Sequence, residues 1–333
     1  MASPKSSQSK ANASSMAGVS DLVARALGGE RRAIARLISL VEDGGAELAQ
    51  VMDELYPHTG RAYSIGITGA PGSGKSTLTE RLVGRIRTDD LTVAVLAIDP
   101  SSPFSGGALL GDRVRMQSHA LDTGVFIRSM ATRGHLGGLS LATPEAVRVL
   151  DAVGNDIVVI ETVGVGQAEV EITDACDTTL VVLNPGWGDA VQTAKAGLME
   201  IADVFVVNKA DRPGARDTVR EIRQMLDMSE AEHKPEVVQT VATKGEGFDE
   251  LWAAIEKHRN YQEERGLLEA RRRRRIEREI KEIVAEQLRR RVETEGRDEL
   301  QRLTDEVVER ACNPYQAADR LLGTLDIDRR QDT

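Results

Sequence analysis

The stretch Ser64 to Thr77, SIGITGAPGSGKST, constrains this chain more than any other. An apolar run from Tyr63 to Thr68 has the length of a short buried strand. It leads directly into Gly69-Ala70-Pro71-Gly72-Ser73-Gly74-Lys75-Ser76, followed by Thr77, and matches G-x-x-x-x-G-K-[ST] at every fixed position. Gly69, Gly72 and Gly74 let the backbone curl so that successive N–H groups converge on the oxygens of a polyphosphate. Lys75 has the reach for the β and γ phosphates, and the Ser76 hydroxyl can ligate Mg²⁺. A helix predicted from Lys75 to about Thr88 aims its positive end at the same charge. A ligand-free glycine turn would need neither the lysine nor the hydroxyl. The spacing predicts a phosphate-binding loop.

Around that loop the pattern predicts an α/β fold with a mostly parallel sheet. Apolar runs at Thr92–Ile98, Val125–Ser129, Ile157–Ile160, Thr179–Leu183, Val204–Val207 and Val237–Val241 read as further strands. Helices are predicted to start at Thr143 and to fill Asp189–Ile201, Ala215–Leu226 and Phe248–His258. Residues 1–19, rich in Ser, Ala and Lys, read as a disordered tail. Residues 20–60 carry apolar positions at helical spacing (Leu22, Val23, Ala26, Leu27, Ile34, Leu37, Ile38, Val41) and read as a helical N-terminal extension. The nucleotide domain is assigned to 61–260 and a helical C-terminal arm to 261–333. In that arm Ile276, Ile280, Ile283, Val284, Leu288 and Val292 form a narrow aliphatic stripe suited to a partner helix, so self-association is expected. The basic run Arg271 to Arg275 is flanked by glutamates at pairing distance and reads as a solvated helix face rather than a nucleic-acid or membrane contact.

Composition narrows the function classes. Aromatics make up only 3% of 333 residues, so the core must be aliphatic. A net charge of −10 argues against a general nucleic-acid binder. Cys176 and Cys312 cannot form a disulfide framework and lack metal-ligand spacing. No apolar run reaches the length of a membrane span and no signal segment opens the chain, so a cytoplasmic setting is expected.

The base is read elsewhere. Asn208-Lys209-Ala210-Asp211 follows an apolar strand, where a base-recognition loop belongs. The Asp211 carboxylate can accept from both the ring N–H and the amine of guanine, whereas adenine would leave it poorly paired. Lys209 can lie along the base, and Asn208 can tie this loop to the phosphate loop. Val241, Ala242 and Thr243 sit where a further backbone contact to the guanine oxygen is expected. Asp99 and Glu161 each close a strand on the phosphate side and suit Mg²⁺ or its water shell, with Asp112 as a further candidate. The Gly164 N–H can sense a γ phosphate, which makes Gly164 to Gln167 a candidate switch. Lys75, Glu161 and Gly164 are the candidate catalytic residues. No residue stands out as a general base, so slow hydrolysis that a partner completes is expected.

In order, GAPGSGKST, DPSSPFSGGALLGDRVRM, ETVGVGQAE, PGWGDAVQTAKAG and NKAD closely resemble the metallochaperone-type P-loop GTPases of the SIMIBI class, and within them the MeaB, ArgK and MMAA group. The resemblance covers about Leu22 to Leu322. It implies an α/β GTPase core with helical extensions, homodimerisation through the C-terminal part, and GTP or GDP with Mg²⁺ as ligands. It also implies a chaperone role toward adenosylcobalamin-dependent methylmalonyl-CoA mutase, gating cofactor loading and protecting or reactivating the enzyme. Carried over, Gly69 to Thr77 hold the phosphates, Asp211 reads guanine, and Ser76, Asp99, Asp112 and Glu161 surround Mg²⁺. Asp189 and Lys195 match an additional switch. The chain departs at Val241, where the family usually has serine, and at Trp187, where it usually has a small residue. A nickel-delivery GTPase and a kinase of a transport-system binding protein are the rival readings.

Overall fold

The computed structural model describes residues 17–44, 47–100, 117–119, 121–132, 142–162, 168–186, 201–230 and 232–327. Helix α1 (17–27) opens it, followed by α2 (Arg31–Asp43) and α3 (Leu48–Leu55). Strand β1 (Tyr63–Gly69) runs into α4 (Lys75–Arg87), and β2 (Val93–Pro100) and β3 (Val125–Thr132) come next. Then α5 (Ala142–Ala152), β4 (Ile157–Thr162), α6 (Ala168–Ala175), β5 (Thr178–Leu183) and β6 (Val204–Asn208) alternate. The series closes with α7 (Ala215–Met228), β7 (Glu236–Thr240), α8 (Phe248–Glu264), α9 (Leu267–Thr294), α10 (Arg297–Val308) and α11 (Pro314–Ile327).

The seven strands form one sheet in the order β3-β2-β4-β1-β5-β6-β7, and every pairing is parallel. A parallel sheet needs both faces covered, which is why its strands read as continuous aliphatic runs. Alternate residues sort between the faces. Ala94, Leu96, Ile98, Val158 and Ile160 pack with Leu37 and Ile38 of α2, Val51 and Leu55 of α3, and Val149 and Leu150 of α5. Their neighbours Val93, Val95, Val159, Ile65 and Ile67 pack with Leu78, Leu82 and Ile86 of α4 and Leu251 and Ile255 of α8. The N-terminal helices are therefore part of the wall of the sheet. Val19 of α1 is itself buried in that core.

The chain divides into two compact units, residues 1–272 and 273–333. In the second, Leu303, Leu321 and Leu325 are buried, Arg291 donates to the Leu325 carbonyl at 2.8 Å, and Arg320 pairs with Glu306 at 2.6 Å. Ile276, Ile280, Val284 and Leu288 stand exposed at i, i+4 spacing.

The basic run departs from its sequence reading. Arg271 and Arg272 are not a solvated face. Arg271 pairs with Asp203 at 2.9 Å, and Arg272 pairs with Asp177 at 2.7 Å while donating to the Ala62 carbonyl at 2.9 Å. The Asp177 side chain is 1% exposed and also accepts from the Ser64 N–H at 3.0 Å. An alternating charge pattern hides such pairing, because the partner carboxylates lie about 70 to 100 residues away in the chain. Beside them His258 sits buried, with Nδ1 at 2.8 Å from the Thr178 hydroxyl and Nε2 at 3.3 Å from Asp203.

Removing Arg272 strands a buried carboxylate, so Arg272→Ala should lower unfolding free energy by about 3 kcal/mol, read from urea denaturation. Burial holds the His258 imidazole below its ordinary value, with the Asp203 carboxylate opposing and Arg271 and His233 adding to the depression. The folded state therefore binds fewer protons than the unfolded chain. This contribution to stability is present above the unfolded value near 6.5 and is lost as pH falls below it. Urea midpoints should drop between pH 7.5 and 5.5, and His258→Asn should flatten that drop.

Candidate functional site

The site begins where β1 ends. β1 lies between β4 and β5, the point at which strand order reverses and ligands of open α/β sheets bind. Gly69 has φ +139°, and a Cβ there would run into the Val182 backbone of β5. Only glycine lets the strand turn so close to its neighbour. Gly74 has φ +94° and precedes the first turn of α4. A Cβ on Gly74 would meet the Asn208 side-chain amide at 2.5 Å, so the loop's last glycine is also what admits the base-loop asparagine.

Lys75 is buried, and its Nζ donates to the carbonyls of Gly69 at 2.7 Å and Ala70 at 3.0 Å. The ammonium is thus held inside the curl of the loop. The Ser76 hydroxyl donates to Glu161 Oε1 at 2.7 Å, and Glu161, at the end of β4, is buried. A hydroxyl and a carboxylate in contact beside a phosphate loop form an all-oxygen pair that fits a hard divalent cation. Asp99 is near the end of β2, and its backbone alone is described. Asp112, Gly164, Gln167, Asp189 and Lys195 lie outside the described residues, as does Trp187. Among the described residues no cluster of three or more His, Cys, Asp or Glu side chains is placed to hold a metal.

The base loop is tied to the phosphate loop by side chains. Asn208 Nδ2 donates to the Ser73 carbonyl at 2.8 Å, and Asn208 Oδ1 accepts from the Thr240 hydroxyl and the Ala242 N–H, each at 3.2 Å. Lys209 has φ +55°, a conformation uncommon for a lysine, and its Nζ donates to the Gly72 carbonyl at 2.6 Å. Its stem accordingly spans from the base loop to the crest of the phosphate loop. Asp211 is partly exposed, with Lys244 Nζ at 3.4 Å from its carboxylate.

The 241–243 segment follows β7 as a turn. Val241 is buried and bridges Glu246, and the Lys244 and Gly245 N–H groups return to the Val241 carbonyl at 2.9 and 3.0 Å. The Ala242 N–H donates to Asn208 Oδ1 at 3.2 Å, and Arg81 Nε donates to the Ala242 carbonyl at 3.2 Å.

The structure adds Asn184 and Arg81 to the residues read from sequence. Asn184 follows β5 and donates from Nδ2 to the Gly72 carbonyl at 3.3 Å. The available signal was a polar side chain ending an apolar strand just before Pro185-Gly186. Arg81 had none, being one basic residue on an amphipathic helix.

Residues 34–297 match the family described as "Methylmalonyl Co-A mutase-associated GTPase MeaB". A protein of Pyrococcus abyssi that carries a GTPase name is 51% identical over 310 residues, 91% of this chain and 96% of that protein. The "Methylmalonic aciduria type A homolog, mitochondrial" of Mus musculus is 33% identical over 317 residues, 88% of this chain and 76% of that protein. A solved structure titled "Crystal structure of LAO/AO transport system kinase" superposes with a TM-score of 0.67 at 26% identity, covering 93% of this chain and 98% of that one.

If Asp211 is the group that reads the base, Asp211→Ala should weaken GTP binding by about 100-fold, the worth of two charge-assisted hydrogen bonds, and should leave ATP binding unchanged. Competition of both nucleotides against a fluorescent guanine nucleotide measures the ratio.

Proposed function

The chain belongs to the family of methylmalonyl-CoA mutase-associated GTPases and is a GTP hydrolase; from that premise we propose that it is a Mg²⁺-dependent chaperone of an adenosylcobalamin-dependent mutase in the cytoplasm, working as a homodimer. The family match across residues 34–297 carries the reading of the client. The exposed i, i+4 stripe Ile276, Ile280, Val284 and Leu288 supports pairing with a second copy, since monomers rarely leave such a row uncovered. Among the described residues no helix is long and apolar enough to cross a membrane.

In this reading the phosphate loop does most of the chemical work by position and charge. Backbone N–H groups of Gly74, Lys75 and the first turn of α4 would face the phosphates. Lys75 exchanges the Gly69 and Ala70 carbonyls for β and γ oxygens. Ser76 and Glu161, with Asp99 and Asp112, would hold Mg²⁺, which supplies neutralisation of charge on the β and γ phosphates when bound. Glu161 lies next to the end of β4, three residues before Gly164 in sequence, so a change at a bound metal would have a short path to Gly164 and Gln167. Asp189 and Lys195 would carry the nucleotide state to the client.

No described residue favours the nickel-delivery or the kinase reading. GTP turnover measured with and without purified methylmalonyl-CoA mutase, with ATP as control, tests the proposal. Turnover of GTP should rise at least several-fold with the mutase, and the two proteins should co-elute on a sizing column. Unchanged turnover without a complex would overturn the client while leaving the GTPase.

A further inference from the structure

We propose that Asn184 is a positioning residue for the phosphate loop, holding its crest at Gly72 in the shape that receives the phosphates; this deepens the nucleotide reading above and rests on it.

The crest turn is closed by one backbone bond, from the Ser73 N–H to the Ala70 carbonyl at 3.1 Å. Gly72 has φ +74°, and a Cβ built there would meet nothing within 4 Å. Glycine is needed at Gly72 for conformation alone, and side-chain packing does not fix the turn. Beyond that backbone bond, the crest is held at the Gly72 carbonyl, which accepts from Lys209 Nζ at 2.6 Å and from Asn184 Nδ2 at 3.3 Å. A carbonyl oxygen has two lone pairs, and these two donors use both.

The sheet register puts Asn184 in place. Gly69 of β1 lies opposite Val182 of β5, so two residues further along β5 the chain draws level with the loop beyond Gly69. Pro185 keeps Asn184 in an extended conformation, continuing the strand direction. On the far side, a Cβ built at Gly214 would come to 3.7 Å from the Gly186 nitrogen and 3.9 Å from Pro185 Cβ. Asn184-Pro185-Gly186 thus runs between the phosphate loop and the turn that follows the base loop.

The orientation of the amide follows from its partner. Turned over, Oδ1 would oppose the Gly72 oxygen, acceptor against acceptor. As placed, Oδ1 is buried and has no hydrogen-bond partner among the described residues. An unpaired buried acceptor is unfavourable, so the contact of Nδ2 with Gly72 decides the orientation. The two struts also differ in kind. Lys209 lies in the base loop and answers to the base, whereas Asn184 answers only to the loop's own shape. Its loss should therefore weaken GDP and GTP alike, since both place phosphates in the loop it shapes.

The test uses the full chain with Asn184→Ala, the isosteric Asn184→Asp, and Lys75→Ala as the control. Titration calorimetry with GDP and with GTP, steady-state GTP turnover and thermal melting are measured for each. Asn184→Ala should raise the dissociation constants of GDP and GTP together by about fivefold. Asn184→Asp should raise them further, by more than tenfold, because it puts an acceptor and a charge against the loop. Dissociation constants within twofold of wild type in Asn184→Ala, whatever the melting temperature does, would overturn the proposal. So would a fall in kcat at unchanged affinity. If Lys75→Ala alone loses nucleotide, only the Asn184 strut fails; if nucleotide binding survives Lys75→Ala, the phosphate-loop reading fails with it.

Discussion

The side chain of Asn208 joins three segments that are distant in sequence. Its amide nitrogen holds the Ser73 carbonyl, and its oxygen gathers the Thr240 hydroxyl and the Ala242 N–H. Phosphate loop, base loop and the turn after β7 thus meet at one buried amide, which is 2% exposed. A buried amide with both ends bonded is worth more than its parts, since removing it leaves three groups unpaired. The glycine at Gly74 exists in this arrangement to make room for it. Because Asn208 ends β6 and Gly74 precedes α4, the spacing of strands across the sheet is transmitted directly to the distance between the 208–211 loop and the 69–76 loop.

Much of this was legible in the sequence, and the reason is locality. The turn at Gly69 to Ser76 needs glycines, a lysine and a hydroxyl within eight consecutive residues, so its chemistry is written in a contiguous string. The strands were legible because burial on both faces forces unbroken aliphatic runs such as Val93–Ile98 and Ile157–Ile160. Asn208 was assigned its tie to the phosphate loop, and it makes that tie.

What sequence reading missed depends on partners far along the chain. Arg271 and Arg272 looked like the start of a solvated face because nothing local marks Asp177 and Asp203 as their partners. Asn184 carried no motif and acquires meaning only when β5 is placed beside β1. Helix boundaries were read closely where a glycine or proline marks them, as at Gly74 and Pro144. The helix read over Phe248–His258 runs on to Glu264, and Gly266 divides it from α9.

The N-terminal helices have a consequence for how the chain is made. Leu37 and Ile38 form a wall against Val158 and Ile160, strand residues that leave the ribosome about 120 positions later, roughly 6 to 24 seconds at ordinary synthesis rates. Until then the first apolar surface synthesised has no sheet to cover. The central strand β1 must likewise wait for β4 and β5, both of which follow it by about 100 residues, before either edge is paired. The nascent chain is thus a holding problem before it is a folding one, and an early apolar helix pair that waits for its sheet is the kind of segment that chaperones at the exit tunnel bind.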